Sequence, residues 1–111
     1  MTKDEILELP SGTKINQLIW WKLFDMRPAP PNNDMLLLPD YSGNIAAAFD
    51  AIQQLRAMNY NVRVELHKTY TTVTLWQRDM NEHGPHPITC RADTIYLAVC
   101  RAALLAVMVG V

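Results

Sequence analysis

The sequence predicts an α+β fold, a small α/β/α sandwich built from a three-stranded antiparallel sheet with an α-β-β-β-α core and an extra N-terminal helix. Three observations carry that expectation. Residues 92–109 (ADTIYLAVCRAALLAVMV) have Arg101 as their one charge after the first turn, which is the pattern of a helix buried on more than one side. Residues 61–67, 71–78 and 88–91 alternate apolar and polar side chains with the period of half-buried strands. Between residues 41 and 59, apolar residues recur at the i, i+3, i+4 spacing of an amphipathic helix. The 111 residues are read as a single domain spanning 1–111, large enough to bury a core without metal or disulfide.

Taken in order, residues 2–9 form a short helical turn stopped by Pro10. Ser11 is the expected N-cap of a helix running to about Asp25, with Ile15, Leu18, Ile19 and Leu23 toward the core. Trp20, Trp21 and Phe24 widen its apolar arc. Either these aromatics complete the core or one tryptophan anchors a partner, so Trp20 and Trp21 are partner-binding candidates. Residues 27–40 hold four of the seven prolines and form a loop, within which residues 35–38 are a short strand or an apolar plug. Ser42 is the expected cap of the next helix, with Ile45, Ala48, Phe49, Ile52 and Leu55 on its buried face and an end near Asn59. In the strands, Val62, Val64, Leu66, Val73, Leu75, Ile88 and Cys90 point inward, and residues 80–87 make a turn-rich connection. Asp93 or Thr94 caps the last helix, where Ala98, Ala102 and Ala106 form a stripe for close packing beside Leu97, Leu104, Leu105 and Met108.

Ten basic and eleven acidic residues give a net charge of -1, which argues against gripping a nucleic-acid backbone non-specifically. The two cysteines make no CxxC pair, and the first ten residues, with Lys3, Asp4, Glu5 and Glu8, do not read as a signal peptide. A cytoplasmic protein with reduced thiols is expected. The last helix is too short and too interrupted by Arg101 to predict a membrane span. No GxSxG, HExxH, P-loop or GxGxxG motif is present, so no enzyme and no cofactor are expected. His83 and His86 offer a metal two ligands without a third at a known spacing, and no metal site is assigned. Cys90, inward in its strand, reads as a small hydrophobe rather than a nucleophile.

The outward face of the sheet carries Arg63, Glu65, His67, Thr72, Thr74, Trp76, Thr89 and Arg91. From it come the ligand-binding candidates Arg63, His67, Thr74, Trp76 and Arg91: cations for phosphate, a hydroxyl for a sugar, and a flat ring for a base. The plainer reading of the same face is a solvated one, or one covered by the N-terminal helix with Trp76 as its packing partner, since exposed faces of antiparallel sheets are commonly polar. Arg101 joins the ligand candidates because a lone arginine on an apolar helix must reach solvent, a ligand or a carboxylate such as Asp93, Glu65 or Asp50.

YSGNIAAAFDAIQQL at residues 41–55 and ADTIYLAVCRAALLAV at 92–107 resemble the phage ABA sandwich domain family, with the likeness covering residues 41–108. The resemblance implies a helix–sheet–helix sandwich and a small phage protein acting in the host cytoplasm, and it transfers no catalytic or binding residue. Double-stranded RNA-binding domains share the helix–three strands–helix order. Here, however, Gly84-Pro85 lies between the second and third strands, and residues 92–94 open the last helix without lysine, so duplex binding is not expected. The function expected is a non-enzymatic anti-defence protein that oligomerises through its apolar helices and sequesters a cyclic nucleotide signal. The alternatives are a module that inhibits a host or phage protein through Trp20, Trp21 and the apolar helix surface, and an enzyme that degrades a nucleotide.

Overall fold

In the computed structural model, which describes residues 2–25, 39–78 and 87–109, helices precede and follow a three-stranded antiparallel sheet in the predicted α+β order. The two helices directly before and after the strands are the ones that pack on it. Helix α1 (Lys3–Leu7) opens with a reciprocal cap. Thr2 Oγ1 accepts from the Glu5 amide at 3.2 Å while the Thr2 amide donates to Glu5 Oε1 at 3.1 Å. Helix α2 (Thr13–Leu18) runs on as a π-helical segment, Ile19–Leu23. Ser11 is not its cap: Gly12 holds that position with φ 140°, a conformation glycine adopts without strain, and its amide donates to Ser42 Oγ at 2.9 Å.

Ser42 does not cap the second long helix either. Asn44 lies next to α3 (Ile45–Ala57) in an extended conformation, and its Oδ1 accepts from the amides of Ala46 and Ala47 at 2.8 and 3.2 Å. Ser42 is instead buried against α2. Its hydroxyl and amide donate to Asn16 Oδ1 at 2.8 and 2.9 Å, and Asn16 Nδ2 donates to Asp40 Oδ1 at 2.9 Å. This polar knot ties the start of α2 to the turn before α3. Asn59, in the left-handed region at φ 75°, ends the turn that leaves α3.

The strands β1 (Tyr60–Leu66), β2 (Thr71–Gln77) and β3 (Ile88–Ala92) lie side by side in that order. Their register lines up Val62, Leu75 and Ile88, then Val64, Val73 and Cys90, as rows on one face. On the other face are Arg63, Thr74 and Thr89, then Glu65, Thr72 and Arg91, with Asn61 beside Trp76. Helix α4 (Ile95–Leu104), capped by Thr94 Oγ1 on the Leu97 amide at 3.2 Å, continues as the π-helical turn Leu105–Val109.

Helix α4 packs on β2 and β3, α3 packs on β1 and on α4, and the N-terminal helices pack on α4 and its continuation. The buried alanines Ala98, Ala102 and Ala106 on α4, with Ala48 and Ala51 on α3, are small enough for that close packing. The apolar sides of α4 are thus consumed inside one chain, with Ile15, Ile19, Leu55, Leu75, Val99 and Leu104 fully buried around it. Among the described residues no helix is long and apolar enough to cross a membrane. Residues 27–38, including the 35–38 run, and the pair His83 and His86 lie outside the described residues.

Candidate functional site

Among the described residues the N-terminal helices pack on α4 rather than over the outward face of the sheet. The cations of that face are nevertheless engaged. Arg63 Nε sits 3.4 Å from Glu65 Oε1 on the same strand. The Arg91 guanidinium lies over the Tyr70 ring, 4.8 Å from its centroid, and His67 stacks on the same ring at 4.4 Å. Thr74 is a correction: it is only 6% exposed, because it lies in the central strand between Arg63 and Thr89.

Arg101 is also redirected. Its Nε and Nη2 donate to the Leu9 carbonyl at 3.1 and 2.8 Å, and Nη1 donates to the Arg91 carbonyl at 3.4 Å. The planar guanidinium fork thereby satisfies backbone oxygens just beyond α1 and in β3, and neither a carboxylate nor a ligand is needed to hold it. Trp20 is half-buried, 6.4 Å from Phe24, which itself stacks on Tyr41 at 5.3 Å. It belongs to the packed layer. Trp21 is 43% exposed, with Lys22 Nζ 3.8 Å above its ring.

A groove lies elsewhere, between α3 and the free side of β1. The predicted inward face of α3 splits into two stripes about 100° apart around the helix. Ala48, Ala51 and Leu55 are fully buried, whereas Ile45 and Phe49, expected inward, are 50% and 53% exposed. Side-chain size does not separate them, since Leu55 is buried and is as bulky as Ile45; position around the helix does. Leu66, also expected inward, is 74% exposed at the end of β1.

Between these surfaces runs a groove of about 610 Å³. Phe49 and Ile52 form its helix wall, Val62, Val64 and Ile95 its floor, and Trp76 reaches it from β2. Its polar groups are Gln53 and Arg56 on α3 and Asn61 on β1. Arg78 is anchored at the same end, its Nη2 donating to the Arg56 carbonyl at 3.1 Å. Of the ligand- and partner-binding candidates predicted from sequence, Trp76 alone lines this groove. Arg56 and Asn61 were not singled out, and their only sequence signal is proximity to the turn joining α3 to β1.

Burial pushes the thiol of Cys90 up to about 11 and that of Cys100 up to about 12, so neither is a ready thiolate. Burial likewise raises the Tyr41 hydroxyl to about 12. Among the described residues, no three of His, Cys, Asp or Glu gather where one metal ion could bind them. Comparison with family models, with curated proteins and with solved structures finds no match to the chain.

Proposed function

We propose that the chain is a non-enzymatic binding protein whose α3–β1 groove holds a nucleotide-class ligand. The observation that carries this reading is the convergence of Trp76 and Arg56 on one groove. A half-buried indole offers a face on which a base stacks. A guanidinium lining the same groove offers a charge-assisted hydrogen bond to phosphate. Gln53 and Asn61 each bring an amide that can both donate to and accept from a base edge. The groove's volume, about 610 Å³, lies within the range usual for small-molecule sites. The reading takes the ligand to be retained rather than turned over. The resemblance to small phage proteins gives such retention a setting: a host signalling nucleotide, cyclic nucleotides first among the class, is removed without being destroyed.

The test is calorimetric titration of the full chain with a panel of cyclic and linear nucleotides, followed by heat denaturation and recovery of the ligand. Binding with unchanged nucleotide recovered is expected. Trp76→Ala should weaken it by about 1–3 kcal/mol, the usual worth of one base stack. Arg56→Ala should weaken anionic ligands selectively. A converted product would make the protein an enzyme, and no binding by any member of the panel would sink the reading. A protein-inhibiting module is the second reading, and it is favoured by Trp21, whose ring is 43% exposed. Trp21→Ala separates the two, since it leaves nucleotide binding untouched and removes a contact with a protein partner.

A further inference from the structure

We infer that the chain forms a two-fold dimer by antiparallel pairing of β1 with β1 of a second copy, centred on Val64. Among the described residues β1 has a strand neighbour on one side only, with β2 hydrogen-bonded to it and its other edge open. The hydrogen-bond phase of that open edge follows from the ends of the hairpin. The His67 amide donates to the Tyr70 carbonyl at 2.9 Å, and the Arg78 amide donates to the Asn59 carbonyl at 2.9 Å. Hydrogen-bonded pairs alternate along an antiparallel ladder, so the odd-numbered residues of β1 bond to β2. Val62, Val64 and Leu66 therefore turn their amides and carbonyls to the open edge. A row of such unpaired groups is a template for another strand.

The side chains of β1 determine which strand fits. Centring the pair on Val64 sets it opposite Val64 of the partner subunit as a hydrogen-bonded pair, with Val62 opposite the partner's Leu66 and the reverse. Arg63 then faces the partner's Glu65 across a non-hydrogen-bonded pair, where side chains lie closest, and Glu65 faces the partner's Arg63. The charges are self-complementary about that one axis. Shifting the axis by one residue toward the start of β1 sets Arg63 against the partner's Arg63. Shifting it the other way sets Glu65 against the partner's Glu65. Both alternatives are repelled. The Arg63–Glu65 contact within one chain is half-exposed and worth little.

The apolar side agrees. Leu66 is 74% exposed and Val62 and Val64 are half-buried, so the pairing covers Val62 with Leu66 of the partner subunit at the floor of the α3–β1 groove. The result is one continuous six-stranded sheet in which each copy supplies an apolar side chain beside the other's groove. This goes beyond the ligand reading and requires no ligand.

The test uses sedimentation equilibrium on the full chain without nucleotide, from micromolar to millimolar concentration. The wild-type chain should be dimeric. Arg63→Glu and Glu65→Arg should each weaken self-association by about tenfold or more, because two attractive cross-strand pairs become repulsive. An equimolar mixture of the two variants should recover the dimer, since every facing pair is then opposite in sign although neither chain has regained its internal contact. Val64→Pro, which removes an edge amide that the β1–β2 ladder does not use, should give a folded monomer by circular dichroism. A wild-type chain that stays monomeric, a dimer that survives both single reversals, or a mixture that fails to re-associate would overturn the proposal. Should Val64→Pro fail to fold, the exposed charge variants decide alone. Loss of nucleotide binding with the dimer intact would count against the ligand reading only.

Discussion

The two stripes of α3 have opposite fates, although both satisfy the same helical spacing. Ala48, Ala51 and Leu55 are fully buried beneath the helix, while Ile45 and Phe49 are about half exposed beside them. On the first side α3 packs on α4, which itself lies between the N-terminal helices and the sheet. On the second side α3 and the open edge of β1 leave a groove rather than a seam. Hydrophobicity alone does not choose between the stripes. Position around the helix does, because Leu55 is buried although it is as large as the half-exposed Ile45. One side of the molecule therefore holds the fold, and the other exposes apolar groups that folding does not use.

That contrast is broken most directly at Leu104, which is fully buried in α4. Leu104→Ala should cost about 2–5 kcal/mol, measured by chemical denaturation, because a cavity opens among groups with little room to collapse. The same truncation at Leu66, 74% exposed, should change the monomer's stability by no more than about 0.5 kcal/mol. Comparable losses at the two positions would show that the β1 side is packed as tightly as the α4 side.

A smaller effect is expected at the polar knot. Asn16 accepts from both the hydroxyl and the amide of Ser42 and donates to Asp40, all at 2.8 to 2.9 Å. Asn16→Ala should destabilise by about 1–3 kcal/mol, since it strands the buried Ser42 amide without an acceptor. Asn16→Asp keeps the acceptor and should retain most of the stability of that contact, although its carboxylate then faces Asp40. A loss for Asn16→Ala below about 0.5 kcal/mol would mean that the knot merely decorates a junction held by apolar packing.

The closed side was more legible in the sequence than the open one. Strand alternation identified Val73, Leu75 and Cys90 as inward, and the cap of α4 was narrowed to Asp93 or Thr94, of which Thr94 accepts from the Leu97 amide. Local spacing was less decisive where several residues could serve. Ser42 and Asn44 are both good caps, and only the buried acceptor on Asn16 reveals why serine is used elsewhere. Arg101 was recognisably in need of a partner, but the Leu9 carbonyl lies 92 residues away and carries no signature in residue type. The groove was harder still. Trp76 stood out as a ring on a polar face, whereas Arg56 and Asn61 become neighbours only through the turn that brings α3 back along β1.

The smallest stability effect is also the sharpest statement of the comparison. Phe49→Gln replaces a ring that is 53% exposed with a polar side chain of better helix propensity. Folding gains little from that ring, so the unfolding free energy should move by no more than about 0.5 kcal/mol in either direction. The groove, by contrast, loses one of its two aromatic walls, and nucleotide affinity measured by titration should fall while the denaturation midpoint stays in place. A stability loss above about 2 kcal/mol would mean instead that Phe49 is packed by the chain itself. The exposed stripe of α3 would then belong to the core, and the division of the helix into a folding side and a binding side would be wrong.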